Sequence, residues 1–151
     1  TQGFVGIGTT APTANLSVNG SANKPGGGSW GTFSDERLKT IRGSFIAGLD
    51  ALMRLQPLRY EYKPDNDLQL KSDGEHIGFS AQAVQKVIPE AVTSTEQGYL
   101  VVNNDPILWT MLNAIKEQQA QIETLRAQNA SLNARLKTIE KRNRVASRQH
   151  R

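Results

Sequence analysis

The stretch Phe33-Ser34-Asp35-Glu36-Arg37-Leu38-Lys39 divides this chain into two parts of different character. Residues 1–33, before it, are rich in glycine, serine and threonine, a composition that predicts extended chain and turns. After it the sequence becomes amphipathic and then continues as a long heptad repeat. This order predicts an α+β fold with a short extended β segment, a small globular domain of helices and a hairpin, and a long C-terminal helix.

Four segments follow from these changes of character. We expect the end of a β-rich fibre stalk with a Gly-rich linker at 1–33, a globular head at 34–105, a coiled-coil helix at 106–143 and a basic, frayed tail at 144–151. A length of 151 residues suits one ordinary domain, but 37% hydrophobic and 6% aromatic residues are few for a compact core. Part of the chain is therefore expected to be buried only by other copies. Because the sequence begins in the middle of a pattern, we expect it to be a fragment.

The composition excludes several classes of function. The chain has no cysteine, which excludes disulfides and thiolate chemistry. Its two histidines, His76 and His150, form no metal-ligand pattern, and no cofactor motif is present. No apolar run approaches the ~18 residues of a membrane span. The net charge of +4 comes from the C-terminal end, so it describes that end and not the whole surface.

The N-terminal part contains two short alternating stretches, 5–10 and 16–20, each bounded by turn residues. Such short strands are not stable alone, and the pattern is typical of a fibre stalk in which strands of several chains wrap together. Residues 22–28, with Pro25 and three glycines, are predicted to be a flexible linker. A phosphate-binding loop is not predicted there, because no Lys-Ser/Thr pair follows the glycines.

The central part predicts a mixture of helices and strands. Apolar residues recur every three or four positions from Asp35 to about Leu55, which predicts an amphipathic helix interrupted at Gly43. A strand is expected at 58–62, a polar loop at 63–74, a short helix at 80–87 after Ile77-Gly78-Phe79, and a hairpin formed by 92–94 and 99–102.

The C-terminal part predicts a coiled coil. Asp105 is the expected N-cap and Pro106 the first helical residue. One seam then continues over five heptads, with Gln118 and Asn129 as polar positions that fix the register. The a positions are Leu108, Ile115, Ile122, Asn129, Leu136 and Asn143, and the d positions are Met111, Gln118, Leu125, Leu132, Ile139 and Ala146. The mixture of leucine and isoleucine does not decide between two, three and four strands.

The basic residues after Glu140 allow two interpretations. Basic residues beside a heptad repeat occur in zipper-type DNA-binding proteins, but there the basic region precedes the zipper. Here it follows the helix, so a solvated tail without nucleic-acid binding is the preferred interpretation.

Ser34 and Lys39 also allow two interpretations. A neutral lysine can activate a serine hydroxyl as a nucleophile if burial or nearby cations such as Arg37 and Arg42 lower the lysine pKa. The alternative is structural: Ser34 or Asp35 is an N-cap, and Asp35 and Glu36 favour the positive end of a first helical turn. The spacing alone does not decide between them.

The run Ser-Asp-x-Arg-Leu-Lys at 34–39 resembles the start of the intramolecular chaperone domain at the C-termini of phage tail spikes, tail fibres and endosialidases, the peptidase S74 family. Three later stretches, 49–63, 74–92 and 99–116, resemble it in order, so the resemblance covers about 34–118. Members of the family often have a polar Asn or Asp before the isoleucine that follows the lysine. This chain has only Thr40 between Lys39 and Ile41.

The resemblance implies a self-cleaving serine peptidase that acts once, on its own chain. The bond cleaved would join Phe33 to Ser34, with Ser34 and Lys39 as the catalytic dyad and Asp35 and Arg37 supporting them. It also implies a homotrimer whose client is its own N-terminal fibre segment, in a virion tail fibre or spike or at a bacterial surface, with the chaperone part released after cleavage. A permanent, non-cleaving trimerisation cap is the alternative. The chaperone of a membrane-bound transcription factor is a third reading, which the Gly-Ile-Gly-Thr segment disfavours.

Overall fold

A computed structural model describes residues 3–12, 14–20, 22, 31–72 and 74–149. The linker predicted at 22–28 and the histidine at position 150 therefore lie mostly or wholly outside the described residues. The described elements confirm the α+β class. Six three-residue strands pair two by two, and they are accompanied by two short helices and one long one.

The N-terminal strands β1 (Val5–Ile7) and β2 (Leu16–Val18) pair in parallel, with Val5 opposite Leu16. Both strands were predicted from their alternation. Their apolar side chains remain accessible, with Val5 and Ile7 54% and 56% exposed. This two-stranded unit thus covers little of its own apolar surface, as expected of strands that need a larger sheet.

Two antiparallel pairs form the sheets of the central part. Strand β3 (Leu58–Tyr60) pairs with β4 (His76–Gly78), and strand β5 (Val92–Ser94) pairs with β6 (Leu100–Val102) as the predicted hairpin. The polar residues between β3 and β4 form the predicted loop. Within that loop the Asn66 side chain donates to the carbonyls of Lys63 and Leu70, and it accepts a hydrogen bond from the Leu70 N–H at 2.8 Å.

The short helix α2 (Ala81–Gln85) begins where the sequence predicts, because Ser80 is an N-cap whose hydroxyl accepts from the Ala83 N–H. A 3₁₀ turn, Pro89–Ala91, follows it and leads into β5. The most deeply buried apolar side chains of this region are Val84, Ile88 and Ala91, all at most 1% exposed. The core of the head therefore lies along this one short segment.

The amphipathic helix predicted from Asp35 to Leu55 is wrong over most of its length. Only a 3₁₀ turn, Glu36–Leu38, and the helix α1 (Leu49–Arg54) form within it. Gly43 has φ +149°, which is incompatible with a helix, and Leu38 and Ile41 are each 70% exposed. An isolated helix of this length is marginal unless its apolar face is packed. Since this face is open to solvent, the periodic pattern is not sufficient to make a helix.

The long helix α3 spans Asn104–Gln149. It begins slightly earlier than predicted, because the Asn103 side chain caps it by accepting from the Asp105 N–H at 3.0 Å. Pro106 still lies in the first turn, where the N–H groups have no intrahelical acceptor. Residues 144–149 are helical, whereas a frayed tail was predicted from residue 144.

Two compact units can be recognised. One contains the chain up to Phe45 together with Leu55–Pro106, and the other contains Ile46–Arg54 together with the chain from Ile107 onward. In the second unit the buried side chains are Ile107, Thr110 and Ala114, near the start of α3. All described side chains from Ile115 onward are exposed.

Candidate functional site

The predicted dyad lies on an exposed segment at the start of the head. Phe33 is 89% exposed, and Ser34 and Lys39 are exposed as well. The 3₁₀ turn begins at Glu36, so Ser34 lies outside it, as the geometry of a dyad requires. A helix running through both residues would separate them by about 140° around its axis, at about 100° per residue.

A single turn separates the two residues of the dyad. Asp35 is extended at the N-terminal end of this turn, and Lys39 is extended at its C-terminal end, where its N–H donates to the Glu36 carbonyl at 3.0 Å. Within the described segment 31–45, no hydrogen bond joins the Ser34 hydroxyl to the Lys39 amine. The single chain therefore presents both groups to solvent without connecting them.

The two supporting residues form an ion pair with each other. The Asp35 carboxylate accepts from the Arg37 backbone N–H at 2.9 Å and from the Arg37 Nη2 at 2.6 Å. The Arg37 side chain, and then the Arg37 backbone N–H, lower the pKa of Asp35, and Asp35 in turn raises the pKa of Arg37. Their role here is to hold the turn between Ser34 and Lys39. The Arg37 guanidinium, proposed from the sequence to act on Lys39, is engaged by Asp35.

The second candidate site is the seam of α3. The apolar side chains at its a and d positions are between 43% and 61% exposed. These side chains belong to Leu108, Met111, Ile115, Ile122, Leu125, Leu132, Leu136 and Ile139. Because the described side chains from residue 115 onward are all exposed, nothing in the described part of the chain covers this stripe. A continuous stripe of this spacing is what a coiled coil buries.

A third feature is a cleft of about 850 Å³ between the N-terminal strands and the head. One side is lined by the turns around Thr9 and Val18, and the other by residues 67–70 with Gln97 and Tyr99. The Tyr99 hydroxyl donates to the Asp67 carboxylate at 2.6 Å, which raises the pKa of Tyr99. Sequence reasoning missed this feature, since no local pattern relates position 67 to position 99.

These observations define a class of protein first: a small α+β domain joined to a long helix with an uncovered heptad seam, as in proteins that assemble through their helices. Residues 34–93 match the model of the peptidase S74 family, described as the chaperone of endosialidase. The matched segment is 60 of the 151 residues and begins at Ser34. This segment is therefore similar to the chaperone of endosialidase. No helix among the described residues is both long and apolar enough to cross a membrane.

Proposed function

We propose that this protein is an intramolecular chaperone that trimerises, aligns three copies of a β-fibre and releases itself by cleaving the bond between Phe33 and Ser34. The observation that carries the proposal is the position of the family domain. It begins at Ser34, directly after a segment with stalk-like strands, and the uncovered seam of α3 follows it. The client is the chain's own N-terminal segment, and the expected setting is a virion tail fibre or spike, or a bacterial surface fibre.

The physical task of such a chaperone is to lower the entropic cost of starting a fibre. Strands such as β1 and β2 gain little until other strands cover them, and non-local pairing makes β structures slow to nucleate. A trimer held together by α3 brings three stalk segments close together in one register. The chain segments then associate at a high effective concentration instead of meeting by diffusion.

The proposed cleavage is an acyl transfer within one chain. The Ser34 Oγ attacks the Phe33 carbonyl carbon while Lys39 Nζ takes the hydroxyl proton. The Phe33–Ser34 C–N bond then breaks, and its nitrogen receives the proton from Lys39 as an ester forms to Ser34 Oγ. Water hydrolyses this ester, which leaves a carboxylate on Phe33 and restores the hydroxyl of Ser34. Because nucleophile and carbonyl belong to neighbouring residues, the attack has a high effective molarity.

The exposure of Ser34 and Lys39 supports a dyad that becomes active only in the assembled state. A lysine acts as a general base near neutral pH only when its charged form is disfavoured by burial or by nearby cations. The single chain gives Lys39 neither a buried site nor a free Arg37. In the proposal, a neighbouring copy supplies this environment, so cleavage follows trimerisation and makes the assembly irreversible.

Intact-mass measurement of the purified wild-type chain tests the cleavage. The expected products are residues 1–33 and a fragment of 151 − 33 = 118 residues. Ser34→Ala removes the nucleophile and is expected to abolish cleavage, and Lys39→Ala removes the base and is expected to slow it; both variants keep the oligomer. Thr40→Ala, beside the dyad, is the matched control and is expected to cleave. Cleavage that persists in Ser34→Ala, or that maps to another bond, contradicts the dyad.

The alternative function is a permanent trimerisation cap that does not cleave. Two observations favour it: the open geometry of Ser34 and Lys39, and the presence of Thr40 where the family often has Asn or Asp. Under this alternative, the wild type and all the variants above remain a single species of 151 residues in a stable oligomer.

A further inference from the structure

Residues 107–115, near the start of α3, form three faces that are largely apolar, which a coiled coil alone does not explain. Taking Ile107 as zero and about 100° per residue, the positions of the side chains around the helix axis can be compared. The buried Ile107, Thr110 and Ala114 lie at about 0°, 300° and 340°. The seam residues Leu108, Met111 and Ile115 lie at about 100°, 40° and 80°. An apolar stripe wider than one seam is expected to be buried by more than the seam.

The third face is formed by Leu112 and Trp109, at about 140° and 200°. Leu112 is 45% exposed and Trp109 is 51% exposed, although they are neighbours at a spacing of three residues on one helix. Trp109 is at a b position, which points away from the seam. Large exposed aromatic residues next to an apolar neighbour are typical of the centre of a protein–protein interface.

The same unit shows what is attached to the remaining side of the helix, where Asn113 and Glu117 lie at about 240° and 280°. The Asn113 side chain donates to the Ala47 carbonyl at 2.9 Å, and the Glu117 carboxylate accepts from the Leu49 N–H at 2.8 Å. The segment Ile46–Arg54 is thereby attached at an f and a c position. The c position, Glu117, is three residues from the g position Ala114, which is 1% exposed. The segment also carries two apolar side chains that are largely open to solvent, Ile46 at 85% and Met53 at 76%.

Heptad geometry brings these two surfaces together in an assembly. In a parallel coiled coil the e side of each helix faces the g side of its neighbour. Leu112 is at an e position, and the neighbour's own segment Ile46–Arg54 is attached at Glu117, a c position next to the g side of that helix. We propose that Trp109 and Leu112 of each chain dock against the segment Ile46–Arg54 of a second copy. This inference rests on the proposed parallel assembly and adds a contact outside its seam.

The docking accounts for the apolar surface of α3 that lies outside the seam. Each helix is held by its own chain through Asn113 and Glu117 and by its neighbour through Trp109 and Leu112. The segment Ile46–Arg54 lies between the two helices, so it responds to assembly. The contact thus connects association of the helices to the part of the chain that follows the proposed dyad.

Cross-linking between singly substituted chains tests the contact, because the natural chain has no cysteine. Two differently tagged chains are co-expressed, one with Met53→Cys and the other with Leu112→Cys, and are treated with a short bismaleimide. A cross-linked product that contains both tags is expected. The matched control replaces Leu112→Cys by Asn133→Cys, which is also at an e position but about 32 Å further along the helix. The control is expected to give no such product.

A third pair, with Ile122→Cys in both chains, reports association through the seam. If this pair cross-links while Met53→Cys reacts no better with Leu112→Cys than with Asn133→Cys, the docking is contradicted and the proposed chaperone function stands. If the seam pair also fails and light scattering shows a monomer, both proposals are contradicted.

Fluorescence gives a readout that does not alter the contact. The chain has two tryptophans, so a Trp30→Phe variant leaves Trp109 as the only reporter. The emission of Trp109 is expected to shift to shorter wavelength as rising concentration drives assembly. Emission that stays constant while light scattering shows assembly contradicts burial of Trp109.

Discussion

Single residues explain why the start of the head is a turn and not a helix. Asp35 uses its carboxylate twice, as the N-cap of one 3₁₀ turn and as the partner of the Arg37 guanidinium. Lys39 then returns to an extended conformation. A dyad built on this turn depends on a surface ion pair, which is weak in water. We therefore expect the geometry of Ser34 and Lys39 to be sensitive to pH and to the neighbouring copy.

The ion pair predicts the titration of Asp35. Its pKa is lowered in the folded chain, so its contribution to stability is present above the usual aspartate pKa of about 3.9 and is lost as the pH falls through the lowered value. NMR titration of the Asp35 carboxyl carbon measures this pKa. Arg37→Gln removes the partner and is expected to raise the pKa toward the ordinary value, whereas Arg42→Gln is expected to leave it unchanged. Equal effects of the two substitutions would contradict the pair.

Gly48 lies very close to the side chain of Glu117. A Cβ at position 48 would overlap the Glu117 carboxylate, which accepts from the Leu49 N–H. Gly48→Ala is therefore expected to displace this carboxylate and to cost about 1 kcal/mol in the free energy of unfolding, the value of a typical hydrogen bond.

A double-mutant cycle distinguishes this cause from a general intolerance of alanine. In a Glu117→Ala chain the displaced group is absent, so the additional cost of Gly48→Ala is expected to disappear. Chemical denaturation of the four chains gives the coupling. Additive costs would show that Gly48 is needed for something other than the carboxylate.

At the scale of elements, α3 is the part whose sequence and structure agree most closely. Its seam was predicted over five heptads, and the structure presents the same side chains as a half-exposed stripe. Fully burying an exposed side chain of this kind contributes about 1.5–3 kcal/mol, so covering the exposed half of one contributes about half as much. The polar seam positions Gln118 and Asn129 reduce this gain and favour one register.

Charges placed in the seam are expected to disrupt the assembly. Ile122→Asp with Leu125→Asp removes two adjacent apolar layers and forces each chain to bury two carboxylates, so we expect the oligomer to dissociate. Ala120→Asp with Ala127→Asp adds the same charge at f positions, on the outer face, and is expected to leave the oligomer intact. Sedimentation velocity compares the two variants. An oligomer that survives the first substitution would mean that the heptad assignment is wrong.

At the scale of the whole molecule, we predict a parallel homotrimer. Arg135 is at a g position, and Glu140 is at the e position of the next heptad. In a parallel coiled coil these two positions of neighbouring helices face each other, so the pair is attractive. The number of strands rests on the trimeric stalks that the family serves. Multi-angle light scattering of the uncleavable Ser34→Ala chain at micromolar concentration is expected to give three times the 16.6 kDa mass of the intact chain. A stable monomer or dimer would contradict the prediction.

The sequence by itself determined the elements whose signals are local. The short helix predicted at 80–87 and the 92–102 hairpin were readable because their signals act over a few residues. The α3 seam was readable because its repeat persists over many turns. The run from Ser34 to Lys39 likewise identified the family that the match from residue 34 supports.

Only the tertiary structure decided what depends on burial and on contacts distant in sequence. In the periodic stretch from Asp35 to Leu55, the first part leaves Leu38 and Ile41 exposed and forms only a turn and an extended segment. The half-buried Leu49 and Leu52 lie in the short helix α1. Asp67 meets Tyr99, and Glu117 meets Leu49, because the fold brings them together and not because of their spacing in the chain. The periodicity of a sequence shows which face of a segment is apolar. Whether other residues pack against that face depends on the tertiary structure.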